Sequence, residues 1–217
     1  MKRLPASILW LLTGLALLVL LNLASDPAFL KIAVRDGHLY GVPIDILNQG
    51  SRTMLVALGM TLVIATGGVD LSVGSVIAIT GAVCALLLNQ GAGLAATIAA
   101  ALGVGALAGG VNGLLVARWH VQPIVATLIL MVAGRGIAQL ICDGQVIIIA
   151  HAGFEFLGNG FVAGVPIAPL LVAALFVVTH FAVRKTAAGL FIEAVGDNET
   201  ASHFAGLAAA RVKALAY

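Results

Sequence analysis

Apolar runs long enough to cross a bilayer recur along this chain at residues 8–24, 93–117, 123–141 and 166–183, and two shorter ones, 53–66 and 73–88, flank a glycine-rich break. The longer runs come near the ~20 residues a helix needs to span ~30 Å of hydrocarbon. A soluble core of 217 residues has no room for so much apolar surface: 61% of the chain is hydrophobic and only 9% charged, against roughly 25% charged in soluble domains. The reading is an all-α polytopic membrane protein with about six transmembrane helices. No long polar stretch is left for a separate extramembrane domain, so residues 1–217 read as a single transmembrane domain. The net charge of +2 is too small and dispersed to suggest nucleic acid as a partner.

Lys2-Arg3 before the run at 8–24 has the outline of a signal peptide, but no small-x-small cleavage site follows, and more spans do. It reads as a first transmembrane helix. Alternating sides from a cytoplasmic N-terminus puts Lys2, Arg3, Arg118, Arg184, Lys185, Arg211 and Lys213 inside and leaves Lys31, Arg35 and Arg52 outside. That bias supports the N-in orientation. Residues 25–50, the turn at 89–91 and the loop 142–165 are then external, and the polar stretch after Lys185 is internal. The residues after Lys213 read as the opening of a seventh helix, as expected of a fragment. Cys84 and Cys142 have no spacing suited to metal or redox work, and no disulfide is expected between them.

The break itself reads Gly67-Gly68-Val69-Asp70-Leu71-Ser72-Val73-Gly74. An ionisable side chain at a helix break beside hydrocarbon is costly and usually marks a solute path. Asp70, helped by Ser72, can also simply cap the following helix by meeting its orphan N–H groups. The two roles are compatible. Gly105, Gly109 and Gly113 fall on one face and read as a seam for a neighbouring helix rather than a pore lining. Asn112 beside them suits an interhelical hydrogen bond better than a ligand contact. Arg135, between Gly134 and Gly136 inside the fifth span, must snorkel to the outer interface, pair with a carboxylate such as Asp143, or face a polar lumen. Asp70, Ser72, Asn112 and Arg135 are the candidate substrate-path residues.

No catalytic signature is present: the sequence has no Gly-Lys pair for a Walker A loop, no Gly-x-Ser-x-Gly and no His-Glu-x-x-His. The internal polar stretch instead predicts a short helix capped by Asp197 or Asn198, running over residues 199–205 and ended by Gly206. Its small residues Ala201, Ser202 and Ala205 suit close docking against another protein, while an ordinary capped linker would look the same.

Several of these motifs together resemble a known family. They are Gly59-Met60-Thr61-Leu62-Val63-Ile64-Ala65-Thr66 running into the break, Gln122-Pro123-Ile124-Val125-Ala126-Thr127-Leu128, Gly134-Arg135-Gly136 with Asp143-Gly144-Gln145, and Glu193-Ala194-Val195-Gly196-Asp197-Asn198 leading to Ala205-Gly206-Leu207. The chain resembles the permease subunits of bacterial ABC sugar importers of the ribose and galactofuranose type. The external stretch Asp36-Gly37-His38-Leu39-Tyr40-Gly41 is most similar to the galactofuranose branch.

The resemblance implies a multi-pass inner-membrane subunit with about ten spans when complete. It implies a second permease copy or paralogue, a cytoplasmic ABC ATPase subunit holding ATP and Mg, and a periplasmic sugar-binding protein as partners, with lipid around it. No cofactor is implied in this chain. Residues 189–207 would be the cytoplasmic coupling segment, with Gly196, Asn198, Ala201, Ser202, Ala205 and Gly206 at the ATPase contact. The Ala201-Ser202 pair and Leu207 depart mildly from the family pattern. Transport would proceed by alternating access; the competing expectations are an ion-coupled secondary transporter using Asp70 and Arg135 and, more remotely, an intramembrane enzyme.

Overall fold

The computed structural model describes residues 6–217. Lys2 and Arg3, which entered the orientation argument, lie outside the described residues. All the apolar runs are helical. Among the described residues, helix α1 (Ala6–Ser25) packs extensively on no other helix, and its Trp10 and Leu11 are largely exposed. It is followed by a hairpin of β1 (Ala33–Arg35) and β2 (His38–Tyr40), then α2 (Val42–Ala65), α3 (Val73–Asn89), α4 (Leu94–Ala117) and α5 (Pro123–Ile141). Next come α6 (Ala152–Asn159), a second hairpin of β3 (Phe161–Val162) and β4 (Val165–Pro166), α7 (Ile167–Lys185), α8 (Ala187–Asp197), α9 (Glu199–Phe204) and α10 (Ala209–Ala216).

Helices α1, α4, α5 and α7 are each long and apolar enough to cross a membrane. Helix α3 is apolar but has 17 residues, and α2 begins with a polar half. Its start corrects the sequence expectation, which left residues up to 50 in an external loop. Pro43 in the first turn, with its fixed φ and missing N–H, suits a helix start despite Asp45, Asn48 and Gln49 nearby.

Burial is inverted relative to a soluble protein. The residues nearly removed from solvent include Ser51, Ser72, Ser75, Thr97, Asn112 and Thr127, while Leu17, Leu102, Leu107 and Val178 are exposed. Lipid supplies no hydrophobic drive between helices, so small and polar side chains form the seams and large apolar ones face the tails. The most extensive seam joins α3 to α5: Gly134 lies against Ser75, and Ile79, Ala82 and Ala138 form the core between the helices.

The chain sorts into two groups of helices. α3, α4 and α5 pack on one another, and α2 packs along α7 with α8 closing against both. Among the described elements, neither α2 nor α7 packs extensively on α3, α4 or α5, and α10 bridges the groups by resting on α4, α8 and α2.

Both hairpins turn through two left-handed residues, Asp36-Gly37 (φ 51 and 77) and Ala163-Gly164 (φ 51 and 83). Two such residues make the tight turn whose twist matches paired strands. The hairpins join at their tips, where the Leu39 N–H donates to Gly164 O at 2.8 Å and Phe161 packs edge-on against His38.

Candidate functional site

The glycine-acid break forms where α2 ends. Gly67 (φ +79) takes the left-handed conformation, the Gly67 N–H donates to Ile64 O at 2.9 Å, and the Gly68 N–H donates to Val63 O at 3.1 Å. Glycine makes this helix exit cheap because it has no Cβ to clash.

Beyond the exit, Asp70 Oδ1 accepts from the Ser72 backbone N–H at 2.7 Å and from the Ser72 hydroxyl at 2.6 Å. This tight turn delivers the chain into α3, with Ser72 as its N-cap residue. The sequence led us to expect the carboxylate on the orphan N–H groups of the helix itself; it grips the residue before the helix instead.

Ser72 is 1% exposed and Asn112 fully buried, and Asn112 Nδ2 donates to Ser72 Oγ at 2.9 Å. The direction of this chain follows from chemistry. Ser72 has a single hydroxyl proton, which goes to Asp70 Oδ1, and its lone pair is left for the Asn112 amide. Asn112 Oδ1 then points elsewhere, and it is buried with no partner.

Asp70, Ser72 and Asn112 are thus brought together, with Asn112 making an interhelical hydrogen bond. Arg135 is not: it is exposed on α5 and makes no ion pair with Asp143 or any other group among the described residues. Two further side chains hold the break and escaped the sequence reading. Thr127 Oγ1 contacts Val69 O at 3.3 Å, and Ser75 Oγ donates within reach of Ser72 O at 2.7 Å and Leu130 O at 3.1 Å. Their only sequence signal is a small polar residue on an otherwise apolar helix face.

Asp70→Asn tests what the charge contributes. Asparagine keeps an acceptor for the turn, so unfolding stability in detergent is expected to fall by about 1 kcal/mol or less. A loss several times larger would show that the ionised form is what holds the break.

The second candidate region follows α8. Asn198 caps α9, its Oδ1 accepting from the Ala201 N–H at 2.9 Å, and Gly206 (φ +86) ends it, with the Leu207 N–H on Ser202 O at 3.0 Å. Cap, helix and glycine stop stand where the sequence placed them. Ala201 and Ala205 are exposed, whereas Ser202 is buried against the chain's own structure. Glu199 pairs with Lys213 of α10, and Arg184 reaches Glu193 at 3.8 Å across the α7–α8 turn.

Gly196 makes a contact that the sequence did not foretell: a Cβ there would overlap the Ala65 carbonyl oxygen and come within 3.4 Å of Thr66 Cα. The end of α8 therefore sits backbone to backbone on the end of α2. The glycine face on α4 is a seam, as expected. Gly113 lies against Ala214 and Gly109 against the Tyr217 carbonyl, while Gly105 meets open space.

A groove of about 540 Å³ lies between α2 and α7 and is lined by apolar residues such as Met54, Val172 and Phe176. No group of three or more His, Cys, Asp and Glu gathers into a metal-binding set among the described residues.

Comparison with known proteins gives a family match over residues 42–217, to the family described as branched-chain amino acid transport system, permease component. The chain is 48% identical over 197 residues to the galactofuranose transporter permease protein YtfT of Escherichia coli (strain K12), covering 90% of this chain and 58% of that protein. It is 36% identical over 222 residues to the fructose import permease protein FruF of Bifidobacterium longum, covering 100% of this chain and 62% of that protein. With the ribose import permease protein RbsC of Escherichia coli (strain K12) it shares 35% over 212 residues, 94% of this chain and 63% of that protein. The chain thus spans about three fifths of the length of these relatives. No solved structure matches it.

Proposed function

The chain belongs to the family of branched-chain amino acid transport system permease components, and from that membership we propose that it is the membrane subunit of an ATP-driven carbohydrate importer. The relatives are named for galactofuranose, fructose and ribose, so the proposed cargo is a monosaccharide, galactofuranose first. ATP and Mg would be held by a separate cytoplasmic ATPase subunit, and this chain would pair with a second permease copy or paralogue. A periplasmic binding protein would deliver the sugar at the inner membrane of a bacterium.

The observation that carries this reading is α9, a helix of six residues capped at both ends and presenting Ala201 and Ala205 outward. In the proposal residues 189–207 are the coupling segment. Asp70, Ser72 and Asn112 would belong to the polar wall of the path. Alternating access then requires only that nucleotide and sugar bind the inward and outward states unequally. An ion relay through Asp70 and Arg135 has no support in the geometry, because no hydrogen bond or ion pair connects the two among the described residues.

Ala201→Trp in the full-length protein tests the assignment. Ala201 is exposed, so the free chain accommodates the ring, but a packed groove on a partner cannot. Co-purification with the ATPase subunit and sugar-stimulated ATP hydrolysis are expected to be lost while membrane abundance holds. Normal assembly and coupling in this variant would defeat the proposal, as would uptake that follows an ion gradient without ATP.

The orientation has its own test. Asn159 and Thr200 are both exposed, so Asn159→Cys and Thr200→Cys, made singly without Cys84 and Cys142, are expected to label from opposite sides. An impermeant thiol reagent should reach the first in intact spheroplasts and the second only after lysis; the reverse order would invert the topology.

A further inference from the structure

We propose that Gly67-Gly68 is a hinge between the two helix groups, and that Gly196 is the positioning residue through which the α8–α9 segment turns it. The inference rests on the transport reading above.

Three observations converge on it. The α2–α7–α8 group and the α3–α4–α5 group make little direct contact, and of the two chain segments that cross between them the one between α2 and α3 is the shorter, the other being residues 142–166. On the far side of that joint, Val69 to Ser72 are fastened to the second group by Thr127 of α5 and Asn112 of α4. On the near side, Ala65 and Thr66 are fastened to α8 by the backbone contact at Gly196. Between the two fastenings stand Gly67, left-handed at φ +79, and Gly68, over which the Tyr217 side chain lies. A segment that absorbs a large φ/ψ change between two rigid groups is how hinges are built.

The remaining bridge, α10, packs main chain to main chain on Gly109 and Gly113 of α4, so in this scheme it travels with α4 and its contacts with α2 and α8 yield. Displacement of α9 reaches the joint without slack. α8 continues into α9 with only Asn198 between, and no side chain intervenes between Gly196 and the Ala65 carbonyl, so nothing there can rotate to dissipate the push. In this scheme Asp70 acts by position, holding Ser72 so that the far side of the joint moves with α4.

The test uses the full-length transporter with its ATPase and binding protein in lipid nanodiscs. Spin labels go on exposed sites of the two groups, Leu171→Cys on α7 and Leu102→Cys on α4, with Leu171→Cys and Met54→Cys on α2 as the within-group control. Between the nucleotide-free and vanadate-trapped states the first distance is expected to shift by more than the about 1–2 Å of ordinary helix adjustment. The control distance should not shift. In Gly196→Ala the shift and the sugar stimulation of ATP hydrolysis are expected to disappear while membrane abundance holds. Gly67→Ala adds a methyl that meets nothing closer than Gly196 O at 4.0 Å but resists the left-handed φ, so it should reduce the shift independently. A parent protein that imports sugar with ATP yet shows no change between groups overturns the hinge. A Gly196→Ala protein that shifts like the parent overturns the role of Gly196. Absence of ATP-dependent import in the parent overturns the transport reading instead.

Discussion

Gly113→Val is expected to detach α10 from the helix bundle. A Cβ at Gly113 would come within 2.8 Å of Ala214 O and 3.1 Å of its Cα. Both are main-chain atoms of another helix, so no side chain can swing aside, and the two further methyl carbons of valine worsen the overlap. Overpacking of this kind costs about 3 kcal/mol. Losing the seam should free α10 from α4 and leave its basic residues open to attack. Trypsin in mild detergent reads this directly, because Arg211 and Lys213 lie on α10 and Lys213 is held by Glu199 in the docked form. Cleavage there should accelerate at least tenfold in Gly113→Val. Gly105→Val, on the same face but in open space, should be cleaved like the parent. Equal resistance in both variants would show that the glycine face does not hold α10.

Ser72→Ala should be the most damaging small substitution at the break. It removes the one group that connects Asp70 to Asn112, leaving the Asn112 amide buried with neither Nδ2 nor Oδ1 partnered. Stranding a buried amide in this way costs about 2–3 kcal/mol. The energy has a diagnostic sign in combination. Asn112→Leu replaces the stranded amide with an apolar group of similar size, so Ser72→Ala/Asn112→Leu should be more stable than Ser72→Ala alone. Thermal melting of the purified proteins, read as a double-mutant cycle, tests it. A double variant at or below the sum of the single losses would mean that the relay carries no such coupling.

What could be read from sequence was what local chemistry decides. Asn198 and Gly206 bracket α9 because a side-chain acceptor and a left-handed glycine act within a turn of their own position. The same holds for the break at Gly67 and for the seam face on α4, whose period of four residues needs no knowledge of what lies opposite. The start of α2 at Val42 was hidden because Asp45, Asn48, Gln49 and Arg52 dilute the apolar signal that marks a span. The hairpin at Asp36-Gly37 carried a turn signature, yet its strands are three residues long, too short for alternation to show. Gly196 was legible as part of a motif but not as a seat, since its partner Ala65 lies on a distant helix. Arg135 marks the opposite limit: its cost inside a span was clear, but its surroundings are set by packing that sequence does not encode locally.

The interlocked hairpins impose an order on assembly. The bond from Leu39 to Gly164 joins the approach to α2 with the approach to α7, and helices α2 through α6 lie between them in the chain. That bond cannot form until everything between has been synthesised and threaded, and loop closure over so long a segment is slow relative to local helix formation. The β1–β2 hairpin therefore stays unlatched while the spans are laid down. Its closure on Gly164 is a checkpoint that only a chain with its intervening helices in register can pass.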